Sequence, residues 1–281
     1  MVSVIIRSHN DEAVIRRTLE MLSRQRNVEY ELLSFDDHST DATLRIIREF
    51  SQIKIVPPED LPYNPSRVLN RAVSFASGDL VVFNNSDAVP LSEDYLERLI
   101  APLSDPGVGA VFGNQLCRPD AKLLVRKDYE RAFGDGSVSA SWRHFFSMVS
   151  SGARRETLLA EPFDPEMQYS EDAEWSWRLK KRGLRIVYVS EAMVQHSHNY
   201  NFRQLYRRFY NEGRADVQIF GDAPGFGVAL RQFAAEVARD VVYEWRHGRP
   251  WLFFSGLTYR AVQKFSAWRG GADMRKGAAG K

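Results

Sequence analysis

Short β-rich runs alternate with amphipathic helical stripes through roughly the first 90 residues of this chain. Residues 2–6 predict a strand, and Ile15, Leu19 and Leu22 follow at the spacing of a helical face. The alternation continues with predicted strands at 30–35, 53–56 and 80–83 and helical stripes at 44–50 and 69–76. Such alternation favours an α/β fold, with a Rossmann-like, mostly parallel central sheet flanked by helices.

Polar residues cluster at three of the predicted strand ends, at 7–11, 36–41 and 84–87. Ligands of open parallel sheets bind beyond the carboxyl ends of the strands, so the three clusters together predict a binding site. Tight turns are the alternative for any single cluster, because Asp, Asn and Ser also favour turns. The first strand is not followed by a G-x-G-x-x-G run and the sequence contains no P-loop, which argues against a dehydrogenase or a P-loop ATPase.

Composition narrows the class of protein. The 281 residues are 44% hydrophobic and 26% charged, as in a soluble globule with one large domain or one domain and an appended piece. The single cysteine, Cys117, excludes an internal disulfide framework and a cysteine-cluster zinc site. The N-terminus lacks a signal-peptide pattern, and no apolar stretch approaches the roughly 18 residues of a membrane span. We therefore expect a cytoplasmic protein.

Charge is unevenly distributed, although the net charge is only +2. Residues 197–281 carry 14 Lys/Arg and 7 Asp/Glu, a net +7, whereas residues 1–196 carry 24 and 29, a net −5. The acidic part predicts a need for a cation. The basic part, which contains Trp251, Phe253 and Phe254, fits docking onto an anionic membrane. A helical cap or a homodimer interface with a solvated basic face is the alternative.

Four segments, in their order and spacing, resemble the motifs of glycosyltransferase family 2. Residues 4–10 (VIIRSHN) look like its opening strand, 35–41 (FDDHSTD) like its Asp-Asp-Gly-Ser-x-Asp turn, 85–87 (NSD) like its Asp-x-Asp metal motif, and 169–178 (YSEDAEWSWR) like its Glu-Asp motif before a helix. The resemblance covers about residues 1–200 and implies a GT-A fold with a catalytic, nucleotide-sugar-binding domain there. Residues 201–281 are then a helical, basic and aromatic C-terminal extension.

The segment 195–200 (QHSHNY) is similar to bacterial rhamnosyltransferase-like members, which build surface polysaccharides. The chain departs from the family pattern at two positions. His38 stands where the turn usually has glycine, and Asn85 replaces the first Asp of Asp-x-Asp. Asp87 is therefore the only carboxylate of the motif.

The resemblance implies a divalent cation, Mg²⁺ or Mn²⁺, held by Asp87 and a histidine. His196 is the favoured ligand and His198 the alternative, since both follow the predicted strand at 185–189. A plain β-turn role for Asp87 before Pro90, and histidines bonded to backbone, are the structural alternatives.

The resemblance also implies the groups that bind the donor. Asp37, with Asp36 as the alternative, would hold the nucleobase or ribose, and Arg67 would contact a phosphate or a base carbonyl unless it is a plain surface residue. Gly152 lies in a segment read as a small-residue turn under the donor sugar. The whole expected set is Arg7, Asn10, Asp36, Asp37, Arg67, Asn70, Asn85, Ser86 and Gly152.

Glu171 and Asp172 are the expected catalytic carboxylates. An inverting transfer is one in-line displacement, so a carboxylate must take the proton from the attacking hydroxyl. By resemblance Asp172 is the general base and Glu171 supports it. A helix-capping role is the alternative, because both residues begin a predicted helix.

Together these features predict an inverting, metal-dependent glycosyltransferase of the hexosyltransferase type. It would move a sugar from a UDP-, dTDP- or GDP-linked donor to a hydroxyl of a glycan or lipid-linked acceptor, in surface polysaccharide synthesis. We expect it in the cytoplasm or at the cytoplasmic face of the inner membrane, without a nucleic-acid partner. The alternative is a non-catalytic module of the same fold that binds membrane or nucleic acid through its basic C-terminal region.

Overall fold

The computed structural model describes residues 1–222 and 224–279. These residues divide into two compact units. The first unit comprises Met1–Pro119 and Tyr129–Ser197, and the second comprises Asp120–Asp128 and His198–Lys281.

One mixed sheet forms the centre of the first unit. Its eight strands are β1 (Val2–Ser8), β2 (Tyr30–Asp36), β3 (Ile53–Val56), β4 (Leu80–Asn85), β5 (Val89–Pro90), β6 (Val108–Leu116), β7 (Ser150–Arg154) and β8 (Arg185–Gln195). They lie in the order β3-β2-β1-β4-β7-β6-β8-β5. β3, β2, β1 and β4 are mutually parallel, β7 runs antiparallel between β4 and β6, and β8 is parallel to β6. The α/β fold class expected from the alternating sequence pattern is confirmed.

Helices connect the strands and form the C-terminal region. They are α1 (Ile15–Leu22), α2 (Thr43–Arg48), α3 (Pro65–Phe75), α4 (Tyr95–Ile100), α5 (Leu123–Ala132), α6 (Ser137–Ala140), α7 (Arg155–Ala160), α8 (Glu171–Lys181), α9 (Phe202–Phe220), α10 (Phe226–Arg246) and α11 (Phe253–Ala279). None of the helices in the described part of the chain combines the length and apolarity needed to cross a bilayer. The helical C-terminal region predicted from the sequence is present as α9, α10 and α11.

Two apolar cores hold the sheet between its helices. Successive side chains of a strand point to opposite faces, so Val4 and Ile6 of β1 belong to one core and Ile5 to the other. The apolar stripe of α1, predicted at Ile15 and Leu19, is fully buried in the first of these cores. Because both faces are covered, the polar ends of the strands are where the sheet can meet a ligand.

β7 corrects one sequence-based expectation. Gly152 was placed in a turn, but it lies within β7, opposite Val82 on one side and Val111 on the other. A Cβ atom added at Gly152 would come within 3.3 Å of the Val111 side chain and the Val81 carbonyl oxygen. The small residues of this segment therefore allow a central antiparallel strand between two neighbours, and not a loop.

Glycines set the spacing of α9 and α11 in the second unit. A Cβ at Gly213 would lie 1.9 Å from the carbonyl oxygen of Ala267, and one at Gly270 would lie 2.0 Å from that of Tyr210. No side chain fits at either distance, so the two helix backbones approach each other as closely as glycine permits.

Candidate active site

The turn after β2 is held by the carboxylate of Asp36. This buried side chain accepts hydrogen bonds from Ser8 Oγ at 2.8 Å, from Ser39 Oγ at 2.7 Å and from the Ser39 backbone N–H at 2.9 Å. Asp36 thus joins the ends of β1 and β2. Asp37, next in sequence, is half-buried and lines the neighbouring pocket.

Residues with left-handed backbone conformation shape the loops of this edge. Asn10 has φ of 56° and His38 has φ of 51°, a region that few non-glycine residues occupy. Asn10 ties the two loops together, since its N–H donates to Ser39 Oγ at 2.8 Å and its Oδ1 accepts from the Thr40 N–H at 2.9 Å. His38, at the position where the resemblance implied glycine, thus has the left-handed conformation that glycine adopts most readily.

A pocket that is partly open to solvent lies between the ends of β2 and β3 and the start of α3. Asp37, Tyr63 and Arg67 are among the residues that line it. The Tyr63 side chain is 53% exposed beside this pocket. Sequence reasoning missed this residue.

Asn70 and Ser86 are engaged in other contacts. Asn70 Oδ1 accepts from the Phe163 N–H at 2.8 Å, and its Nδ2 donates to the Phe163 carbonyl oxygen at 2.8 Å, so its amide fixes that segment and does not line the pocket. Ser86 Oγ donates to Asp11 Oδ2, and the Ser86 N–H donates to the Arg7 carbonyl oxygen at 3.0 Å. Both residues support the loops of the strand-end edge.

Arg7 brings three elements together at the end of β1. Its Nη2 donates to Asn85 Oδ1 of β4 at 3.1 Å, and its Nη1 lies 3.9 Å from Glu171 Oε1 of α8. Four of the sequence-predicted residues, Arg7, Asn85, Glu171 and Asp172, therefore meet at one place. The guanidinium is the cation that faces both the strand end and the carboxylate pair.

Glu171 and Asp172 occupy the first positions of α8, after Ser170 in a left-handed conformation with φ of 57°. Asp172 is held in place because Oδ2 accepts from the Met148 N–H at 3.1 Å and Oδ1 from the Ala173 N–H at 2.8 Å. Burial, with the neighbouring Asp172 charge, raises the pKa of Glu171 to about 7. Burial also raises the pKa of Asp172, against the opposing effect of the Met148 and Ala173 hydrogen bonds. Raised carboxylate pKa values beside other charged groups are typical of acid–base sites.

Asp87 lies in the tight turn after β4, where the Ala88 N–H donates to the Asn85 carbonyl oxygen at 3.0 Å. Its Oδ2 is 3.5 Å from His196 Nε2, at the end of β8. Arg118 Nη2 donates to the Asp87 carbonyl oxygen at 2.9 Å and to Oδ2 at 3.2 Å. The expected pair of Asp87 and His196 is thus brought together. The alternative ligand, His198, is the first residue of the second unit's C-terminal segment.

The second ring nitrogen of His196 is held by two side chains. Nδ1 lies 2.9 Å from Gln115 Oε1 and 3.2 Å from the Tyr129 hydroxyl. Gln115 Nε2 donates to Ser147 Oγ at 2.8 Å, which leaves the amide oxygen facing the ring. An amide oxygen only accepts, so Nδ1 is the nitrogen that donates to Gln115, and Nε2 is the ring nitrogen that faces Asp87. A carboxylate and an imidazole nitrogen presented in this way fit a divalent cation.

Sequence reasoning did not find Tyr63, Gln115, Arg118 or Tyr129. Gln115 and Arg118 stand at the carboxyl end of β6, whose neighbour in the sheet is β8. The sequence also predicts a strand at 108–112, and the strand-end rule that selected the other three clusters selects the polar residues after this strand too. Tyr63 had a weaker signal, an aromatic residue in the proline-rich loop after β3.

Comparison with known proteins gives a consistent result. A model of glycosyl transferase family 2 matches residues 3–161. The chain is 25% identical over 223 residues to the O-antigen chain rhamnosyltransferase RfbN of Salmonella typhimurium, covering 75% of this chain and 71% of that protein. It is 30% identical over 202 residues to the O-antigen chain rhamnosyltransferase WbaN of Salmonella anatum, covering 68% of this chain and 64% of that protein.

Solved structures resemble the fold. The mannosyltransferase PcManGT of Pyrobaculum calidifontis, in complex with GDP-Man and Mn²⁺, superposes with a TM-score of 0.62 at 20% identity, over 99% of this chain and 75% of that one. Glucosyl-3-phosphoglycerate synthase of Mycobacterium tuberculosis, in complex with Mn²⁺, UDP and phosphoglyceric acid, superposes with a TM-score of 0.58 at 22% identity, over 81% of this chain and 80% of that one. At these identities the likeness concerns the GT-A fold.

Proposed function

The chain belongs to glycosyl transferase family 2, and on this premise we propose that it is an inverting, metal-dependent glycosyltransferase acting on a nucleoside-diphosphate sugar. The observation that carries the proposal is the meeting of Arg7 with Asn85 and Glu171 at the strand-end edge. This meeting puts a guanidinium group, the strand-end amide of Asn85 and the carboxylate pair within one site. In this proposal residues 1–200 carry the chemistry and 201–281 form the extension.

The pocket beside β2 would bind the nucleotide. Tyr63 offers an aromatic face for the base, Asp37 a carboxylate for base or ribose donors, and Arg67 a guanidinium for carbonyl or phosphate oxygens. Related folds were solved with GDP-Man and with UDP, so UDP-, dTDP- and GDP-linked donors are all candidates. The names of the two Salmonella relatives favour rhamnose as the sugar and a surface polysaccharide as the product.

Asp87 and His196 would hold the cation, Mg²⁺ or Mn²⁺, with His198 as a further candidate. When bound, a divalent cation supplies Lewis-acid stabilisation of the departing diphosphate. Arg118 hydrogen-bonds Asp87 and so adds a second positive charge at the same place. Gln115 fixes the His196 ring through Nδ1, so that Nε2, which faces Asp87, would be the ligand nitrogen.

Asp172 would accept the proton of the attacking hydroxyl. The Met148 and Ala173 N–H groups orient its carboxylate, while burial raises its proton affinity. Glu171 and Arg7 would tune the charge beside it. The acceptor is a glycan or lipid-linked hydroxyl. A lipid-linked acceptor is reached at a membrane surface, so the proposal includes peripheral membrane contact by the C-terminal region.

Nucleotide release tests the proposal. We expect the purified protein with Mn²⁺ to liberate nucleoside diphosphate from at least one UDP-, dTDP- or GDP-linked sugar, slowly by hydrolysis and faster with acceptor. Asp172→Asn should lose this release, and the matched control Asp79→Asn, whose side chain is 95% exposed, should retain it. No release from any donor, together with no thermal stabilisation by any nucleoside diphosphate, would contradict the proposal.

A further inference from the structure

α10 and α11 form an antiparallel hairpin within the second unit. Aromatic pairs join the two helices, with ring centroids of Phe226 and Trp268 5.1 Å apart and those of Phe233 and Phe265 5.4 Å apart. The chain reverses at Gly248, which has φ of 65°, and the Arg249 N–H donates to the Glu244 carbonyl oxygen at 2.8 Å. We call residues 245–254 the hairpin tip.

The hairpin tip concentrates exposed aromatic surface. Trp245, Trp251 and Phe254 are 74%, 68% and 77% exposed, and they are the three most exposed large hydrophobic side chains among residues 1–222 and 224–279. All three lie within ten positions of the chain, on either side of one tight turn. Exposed aromatic side chains grouped in this way are typical of a binding surface.

The charge of the hairpin tip has one sign. Residues 245–272 contain no Asp or Glu, and Arg246 and Arg249 are exposed between the aromatic side chains. Glu244, the nearest acidic residue before the tip, is 1% exposed and does not contribute to its surface. The partner of this surface should therefore combine an apolar layer with negative charge.

We propose that the hairpin tip docks onto the surface of a membrane that contains anionic lipids. Tryptophan and phenylalanine side chains partition into the headgroup–acyl boundary, and arginines beside them attract anionic headgroups. A second copy of the chain fits less well, because self-association would bring like-charged arginines together. Double-stranded nucleic acid would use the arginines but has no apolar layer to cover three aromatic side chains.

The proposed membrane docking rests on the proposed function only in its purpose, which is to bring the enzyme to a lipid-linked acceptor. Vesicle binding and nucleotide release can therefore be measured separately. Co-sedimentation with phosphatidylcholine vesicles, with and without phosphatidylglycerol, is the test. The full chain should bind the anionic vesicles, with a blue shift of tryptophan fluorescence, and salt should weaken the binding.

The triple variant Trp245→Ser/Trp251→Ser/Phe254→Ser should lose vesicle affinity by about tenfold or more. The matched control Phe202→Ser removes a side chain that is 51% exposed at the start of α9 and should bind as the parent does. Nucleotide release should be the same in all three proteins. Equal sedimentation of the triple variant and the parent would overturn the proposal. So would a concentration-dependent dimer, or binding to an oligonucleotide, that depends on the tip while vesicles are not bound.

Discussion

At the carboxyl edge of the sheet, the guanidinium of Arg7 lies 3.9 Å from the carboxylate of Glu171, which is followed by Asp172. Burial raises the pKa of both carboxyl groups. In the second unit, Arg260 is 1% exposed and donates to Asp128 and Asp240 at 2.6 Å each. Both regions bury charge, but in the second the guanidinium of Arg260 has two carboxylates at hydrogen-bond distance.

Further charged and polar side chains of the second unit bond to Arg260 and Asp240. Asp240 also pairs with Lys127, and Arg260 Nη1 donates to Gln263 Oε1 at 2.8 Å. Burial alone would raise the pKa of Glu236, but its hydrogen bond with Arg239 and the charges of Arg260 and Lys264 bring it down to about 2. The difference teaches how to tell structural charge from functional charge. Saturated partners stabilise a fold, whereas incompletely compensated carboxylates remain able to exchange protons.

The largest effect is expected from Arg260→Met. Removing the guanidinium leaves Asp128 and Asp240 without their main partner inside the second unit. The free energy of unfolding, measured by urea denaturation, should fall by about 3–5 kcal/mol. Arg269→Met is the matched control on the same helix, since the Arg269 side chain is 64% exposed, and should change stability little. A small effect of Arg260→Met would show that the network is not structural.

Asp172→Asn tests the carboxylate pair at the edge of the sheet. The amide keeps the shape of the side chain and removes its ability to accept a proton, so kcat should fall by about 10² or more with donor binding nearly intact. Steady-state transfer and nucleotide titration measure the two quantities. If Asp172→Asn turns over normally while Glu171→Gln is inactive, the two roles are exchanged. If both variants turn over normally, neither carboxylate is the base.

Glu171→Gln should stabilise the protein at alkaline pH. The pKa of Glu171 is raised from 4.5 to about 7 in the folded protein, so the folded state holds the neutral carboxyl more tightly than the unfolded state does. The resulting contribution to stability is fully present below pH 4.5 and is lost as pH rises through 7, where the buried carboxyl becomes charged. Removing its charge should therefore raise the free energy of unfolding at pH 8 by on the order of 2 kcal/mol, with no gain at pH 4.

Glu236→Gln should change the free energy of unfolding in the opposite direction. The pKa of Glu236 is lowered to about 2, so its contribution is present above pH 4.5 and is lost as pH falls toward 2. The variant should be destabilised at neutral pH. Denaturation curves of Glu171→Gln and Glu236→Gln that shift in the same direction at pH 8 would remove the distinction between the two regions.

The smallest expected effect concerns the metal. Asp87→Ala should abolish the enhancement of nucleoside-diphosphate binding by Mn²⁺, an effect of about tenfold on affinity. Calorimetric titration with and without Mn²⁺ measures it, and Asp79→Ala is the control. His196→Ala should reduce the enhancement more than His198→Ala does. Unchanged nucleotide affinity and metal dependence in Asp87→Ala would contradict the assignment of this ligand.

Local sequence patterns were sufficient to predict the first half of the sheet. β1 to β4 and the helices between them follow from alternating apolar runs, and the strand-end rule selected Arg7, Asp37 and Asp87. β7 could not be predicted in this way, because small residues read as a turn and its place between β4 and β6 depends on distant pairing. Gln115 and Arg118 follow a strand end that the same rule selects, but their contacts with His196 and Asp87 join remote parts of the chain and could not be predicted.

The close approach of α9 and α11 has a mechanical consequence. Moving α11 by one turn along α9 would place Ser266 or Met274 where Gly270 meets the Tyr210 carbonyl oxygen, and neither side chain fits at 2.0 Å. The two helices therefore cannot slide and act as one lever, with α10 joined to it through the tight turn at Gly248. We therefore expect a displacement of the hairpin tip to move α9 and α11 together, in one register.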